Sequence, residues 1–96
     1  MGKYLHVGIN FFGKEPEITN LVTVFDRAQD WLRYAPNCWI LYTSTSPDTW
    51  VDRIKEKLAK EDNLFICELI IDNHQGWLTQ DSWDWINKDR SAKRES

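Results

Sequence analysis

The side chains best suited to proton transfer, metal ligation or covalent attack are few. His6 and His74 are the only imidazoles, and Cys38 and Cys67 the only thiols. Glu68 and Asp72 lie inside and just beyond the most apolar segment of the chain. In the run Asp72-Asn73-His74 a carboxylate and an imidazole are two residues apart, which would suit acid/base work or a metal ligand. The same three side chains are equally what a loop uses to satisfy its own backbone. His6 alternates with Leu5 and Val7, the pattern of a histidine on a sheet face. Neither cysteine has a cationic neighbour to stabilise a thiolate, and no CxxC occurs, so both read as reduced thiols buried in the core. Glu68 is the lone charge in Leu64–Ile71 (LFICELII). A buried carboxylate is costly, so it must reach water, a partner subunit or an arginine, for which Arg33 on a neighbouring strand is the expected candidate. No Gly-rich phosphate loop, zinc-ligand spacing or Ser-His-Asp arrangement is present. The residues alone therefore assign no catalytic group, cofactor or metal.

Six tryptophans in 96 residues are more than a core this small needs. Trp39, Trp77 and Trp83 read as packing for the core or a terminal helix. Trp31, Trp50 and Trp85 look surplus, with Trp50 broadening a helix stripe. Trp31 is expected as an exposed aromatic and, with Tyr34 and Trp85, forms the expected interface set, because large amphipathic rings favour protein contacts. Stacking on a nucleobase is the alternative, and a net charge of −3 weighs against it. Basic residues gather on one helix (Arg53, Lys55, Lys57, Lys60), interleaved with acids as on a solvated face. A second group lies near the C-terminus (Lys88, Arg90, Lys93, Arg94) and could touch phosphate only weakly.

Ninety-six residues make one domain, expected over 1–90 with a frayed tail at 91–96. Hydrophobic residues at 42% and charged residues at 28% exclude wholesale disorder. No apolar run approaches the roughly 20 residues of a membrane helix, and no signal-peptide pattern occurs. A cytoplasmic location without membrane attachment is expected. Lys3–Asn10 alternates as a strand, and Pro16 opens a helix over about 17–29. The segment 31–34 suits helix and strand alike. Cys38–Thr43 is a strand, and Ser46-Pro47-Asp48 starts a helix closed by Glu61-Asp62-Asn63, with Val51, Ile54 and Leu58 as its buried stripe. The nearly continuous apolar run 64–71 predicts a strand buried on both faces or over most of one, lying beside another strand rather than at a bare edge. Thr79 caps a last short helix.

With 31–34 as a strand, the class is α+β: a ferredoxin-like βαββαβ sandwich, one four-stranded antiparallel sheet with two helices on one face plus a short C-terminal helix. Such a sheet needs its second face covered by a terminal segment or a second subunit. A homodimer is the expected cover.

Trp31-Leu32-Arg33-Tyr34, Cys38-Trp39-Ile40-Leu41, Ser46-Pro47, Leu64-Phe65-Ile66 with Glu68-Leu69, and Gly76-Trp77-Leu78 with Trp83 resemble a small bacterial family, labelled "SinR family" by a borrowed name. That family is similar to CRISPR-associated Cas-two-type proteins and VapD toxins. The resemblance, from Tyr4 to about Lys88, implies the ferredoxin-like fold, strand at 31–34 and a homodimer. It also implies a phage, mobile-element or defence and toxin–antitoxin setting, where a further protein partner or nucleic acid would be met. Cas-two-type nucleases carry an aspartate ending the first strand, where this chain has Asn10. A neutral amide is a poor Mg²⁺ ligand. The leading expectation is a non-catalytic binding or assembly module. The alternatives are a Mg²⁺-dependent ribonuclease drawing on Asn10, Glu68, Asp72 and His74, and a nucleic-acid-binding subunit without chemistry.

Overall fold

The computed structural model describes residues 2–12, 18–72, 74–88 and 90. The expected helix start at Pro16 and the expected frayed tail at 91–96 lie outside them. The elements are β1 (Lys3–Asn10), α1 (Ile18–Phe25), β2 (Asp30–Ala35), β3 (Cys38–Thr43), α2 (Pro47–Lys55), β4 (Asn63–Leu69) and α3 (Gln80–Ile86). The strands form one antiparallel sheet in the order β2-β3-β1-β4, so the class is α+β.

The period of two along β1 sorts the sheet into two faces. Leu5, Val7 and Ile9 are buried, and register sets Leu41 opposite Leu5, Trp39 opposite Val7 and Leu64 opposite Ile9. Leu21, Val24 and Phe25 of α1 and Trp50 and Ile54 of α2 complete this core, so both helices lie on the same face. Each such side chain contributes roughly 1.5–3 kcal/mol by leaving water.

Trp31–Tyr34 is strand because the chain leaves α1 early. The amides of Arg27 and Ala28 bond three residues back, to Val24 and Phe25, tightening the last turn. The Gln29 amide then donates to Tyr42 O (2.9 Å), which commits the chain to the sheet. Helix α1 therefore stops at Phe25 rather than near residue 29. Arg33 closes the β2–β3 hairpin by donating through Nε (3.0 Å) and Nη2 to Pro36 O, and its guanidinium lies 5.2 Å from the Trp39 ring.

Three further expectations are corrected. Trp50 is fully buried, its Nε1 donating to Thr43 Oγ1 (3.3 Å), so it belongs to the core and is not surplus. Helix α2 ends at Lys55, since the amides of Lys57 and Leu58 turn back to Ile54 and Lys55; the Asp62 carboxylate accepts from the Ala59 and Phe12 amides beyond it. Val51 is only half-buried, and Trp50 with Ile54 supplies the buried stripe. The third correction concerns β4. Among the described residues it is an edge strand paired only with β1; Phe65 within it is 67% exposed, and Ile70 just beyond it 84%. An apolar run reports high hydrophobicity but not how many neighbours the strand acquires.

Candidate functional site

The second face of the sheet carries Tyr4, His6, Gly8 and Asn10 from β1, with Tyr42, Ile40 and Cys38 opposite them on β3 and Leu69, Cys67, Phe65 and Asn63 on β4. Its Tyr4 end is covered by α3 and Arg90 of the same chain, not by the second subunit expected there, because the last helix folds back over Tyr4 and Tyr42. Thr79 caps α3 by accepting from the Ser82 amide (3.3 Å), and a clamp around Arg90 holds the helix down. The Arg90 guanidinium donates to Asp30 Oδ2 (2.5 Å), Trp85 O (3.0 Å) and Tyr4 Oη (3.3 Å), and lies within 4.4–5.9 Å of the Trp85, Tyr42 and Tyr4 rings. Lys88 adds a weaker pair with Asp30 (3.4 Å). Burial pushes the Asp30 carboxyl up, but the Arg90 hydrogen bond, the nearby Trp85 indole N–H, the Trp31 amide and the Arg90 charge together hold it below its ordinary value. The Trp85 indole N–H, although close enough to favour that charge, makes no hydrogen bond of normal geometry.

Between this flap and the sheet lies a cavity of about 370 Å³. Its floor is His6, Tyr34 and Ile40 from three adjacent strands, joined by Leu69 at the end of β4. Its roof and mouth are Ile71, the exposed loop His74-Gln75-Gly76, Leu78, and Trp83 and Ile86 of α3. His6 Nε2 and Tyr34 Oη are hydrogen-bonded at 2.5 Å. His74 stacks on Trp83 (centroids 5.7 Å, 27°), and its Nδ1 lies 2.5 Å from Ile71 O. A carbonyl only accepts, so Nδ1 carries the proton and Nε2 of neutral His74 is an acceptor. The fold thus gathers the chain's two histidines, 68 positions apart in sequence, around one apolar space.

Burial lowers the His6 imidazole below its ordinary 6.5. Burial, followed by the adjacent Cys38 thiol, raises the Tyr34 phenol above 10.0. Both shifts favour the uncharged forms, so the pair is neutral at pH 7. A depressed histidine binds its proton at higher pH when unfolded than when folded. Its contribution to stability is therefore complete above about 6.5 and declines as pH falls through that value toward the folded one. We expect urea midpoints to drop across that window, with a shallower drop in His6→Gln; an equal slope in the variant would assign the effect elsewhere.

The remaining sequence candidates do not converge. Asn10 ends β1 opposite Asn63, while Asp72 and His74 follow β4 beyond the Tyr4 end, more than about 20 Å along the strands. Glu68 pairs in register with Leu5 on the helix-covered face and is exposed to water. Arg33 sits on the opposite edge strand, so the expected Glu68–Arg33 pair is geometrically excluded. Among the described residues, no three metal-ligating side chains converge. Cys67 is exposed and Cys38 half-buried, against the expectation of core thiols, because both point to the second face.

Trp31, expected as exposed, packs half-buried against the helical core, 5.9 Å from Phe25, with its Nε1 donating to Asp26 Oδ1 (2.8 Å). Trp77, expected to pack inward, is 98% exposed. Of the expected interface set, Tyr34 lines the cavity and Trp85 serves the clamp. Arg90, read as a loose basic residue near the tail, is 7% exposed. Its only sequence signal was the aromatic surplus it now stacks on. No family model, curated protein or solved structure matches the chain.

Proposed function

We propose that this chain is a homodimeric binding or assembly module of the ferredoxin-like type, working without catalysis, and that two copies join along β4. The observation that carries this reading is Phe65, 67% exposed near exposed Cys67 on a strand that, among the described residues, is paired on one side only. Lysine, proline and a bulge are missing from Asn63–Leu69, and its one charge, Glu68, stands on the helix-covered face, away from Phe65 and Cys67. A second copy would pair the outer row of β4 amides and carbonyls and bury Phe65. The element order and the strand order β2-β3-β1-β4 support the ferredoxin-like assignment. The resemblance to the "SinR"-labelled family supports a mobile-element or defence setting.

Sedimentation velocity at micromolar concentration tests the dimer. We expect twice the chain mass for the wild type and a monomer for Phe65→Lys with an unchanged circular dichroism spectrum. A monomeric wild type would overturn the dimer. Labelled RNA incubated with Mg²⁺ should stay intact; cleavage that disappears in His74→Ala would overturn the non-catalytic reading.

A further inference from the structure

The space under α3 is a cleft of about 370 Å³ that opens to solvent beside the His74-Gln75-Gly76 loop. It is also walled by ordered structure: three strands form its floor, and the Arg90 clamp fixes its roof. Its size falls at the small end of ligand pockets, which run to roughly 300–1,000 Å³.

The walls say what fits. Ile40, Leu69, Ile71, Leu78 and Ile86 supply aliphatic surface, and Trp83 is a fixed aromatic wall, held by His74 on its face and with the Gly76 backbone alongside. Adding a Cβ at Gly76 would bring it to 3.8 Å from the Trp83 ring, ordinary van der Waals contact. Among the described residues, the lining holds no Lys, Arg, Asp or Glu. An ion entering would lose its hydration and gain no counter-charge, which is costly. A neutral, flat molecule loses little and gains the full apolar contact.

The polar groups are few and complementary. In one tautomer Tyr34 Oη–H donates to His6 Nε2, leaving the His6 Nδ1–H as a donor and the phenol oxygen as an acceptor. In the other, Nε2–H donates to Tyr34 Oη, leaving the phenol O–H as a donor and Nδ1 as an acceptor. Either way the pair keeps one donor and one acceptor not used between its two members. At the mouth, His74 Nε2 adds an acceptor.

We propose that the cavity between the sheet and α3 binds a small uncharged aromatic molecule bearing a hydrogen-bonding group, with the His6–Tyr34 pair as its polar anchor. The site is built within one chain and does not depend on dimer formation.

Umbelliferone, a neutral hydroxycoumarin with a carbonyl at one end and a phenol at the other, is the probe. Titrated into the full chain below its own phenol pKa and followed by amide and indole N–H NMR, it should give saturable shifts centred on His6, Tyr34, Leu78 and the Trp83 indole. Tyr34→Phe keeps the ring but removes the hydroxyl and should weaken binding about five- to tenfold. Leu78→Trp, checked for fold by unchanged shifts in the helical core, should abolish it by filling the space. Naphthalene sulfonate, of similar size but charged, should bind at least about tenfold more weakly. Absence of saturable shifts in the wild type, equal affinity in Tyr34→Phe and Leu78→Trp, tighter binding of the sulfonate, or shifts confined to Gly8, Asn37 and Phe65 would each overturn the proposal.

Discussion

Replacing Trp50 with alanine should cost about 3–5 kcal/mol, the usual loss for emptying a fully buried indole site. Trp50 sits at 0% exposure between α2 and the sheet, among Leu5, Val7, Trp39 and Leu41. Its removal leaves a hole that the rigid sheet cannot close. A domain of this size has only about 5–15 kcal/mol of stability in total, so the variant should be near the edge of folding at room temperature. Trp50→Phe should be much milder, about 1–2 kcal/mol, since it retains most of the volume and the Thr43 hydroxyl keeps its bond from the Thr45 amide (3.1 Å). Trp77→Ala provides the contrast: at 98% exposure it should change stability by less than about 0.5 kcal/mol. Urea denaturation followed by far-ultraviolet circular dichroism measures all three. Equal effects at Trp50 and Trp77 would contradict the assignment of Trp50 to the core.

The second large effect is expected at Arg90. Arg90→Met should cost about 2–3 kcal/mol, somewhat below the ~3–5 kcal/mol of a wholly buried pair, because Asp30 keeps 27% side-chain exposure and Lys88 nearby. The guanidinium serves a carboxylate, a carbonyl and a phenol at once, a fork that lysine cannot reproduce, so Arg90→Lys should recover little. The loss should also be local. Amide exchange in α3 should accelerate before exchange in β1, since the clamp is what ties that helix to the sheet. Acid sensitivity gives an independent signature. A carboxyl held below its ordinary 3.8 contributes stability that is complete above that value and disappears as pH falls through the lower folded one. The wild type should lose stability across that range, and Arg90→Met should lose less. If both lose the same amount, Asp30 is not the group being titrated.

Local pattern and tertiary placement divide cleanly in the aromatic residues. The alternation of Leu5, Val7 and Ile9 against Tyr4 and His6 is legible because a strand's side chains reverse at every residue, whatever surrounds it. Thr79 as a cap is legible for a similar reason, since its partner is the amide three residues on. The destinations of the tryptophans are not local properties. Trp50 went inward because α2 crosses the face carrying Leu5 and Val7, and Trp77 outward because its loop runs past the sheet's end. Locally Trp50 shows only a place on a helix stripe, and that alone does not fix full burial.

The chain's own residues determined the α+β class, the strands β1 and β3, the start of α2 and the existence of two unlike sheet faces, because each follows from short-range periodicity and turn chemistry. Strand at 31–34 and the ends of α1 and α2 were settled by contacts with the sheet and by backbone turns. Tertiary structure alone decided that β4 is an edge, that Arg90 is buried among aromatic rings, and that His6, Tyr34 and His74 surround one cavity. Strand order and the return of the last helix set these outcomes, and both arise from contacts between segments far apart in sequence. Periodicity says which residues share a face; only packing says what covers it.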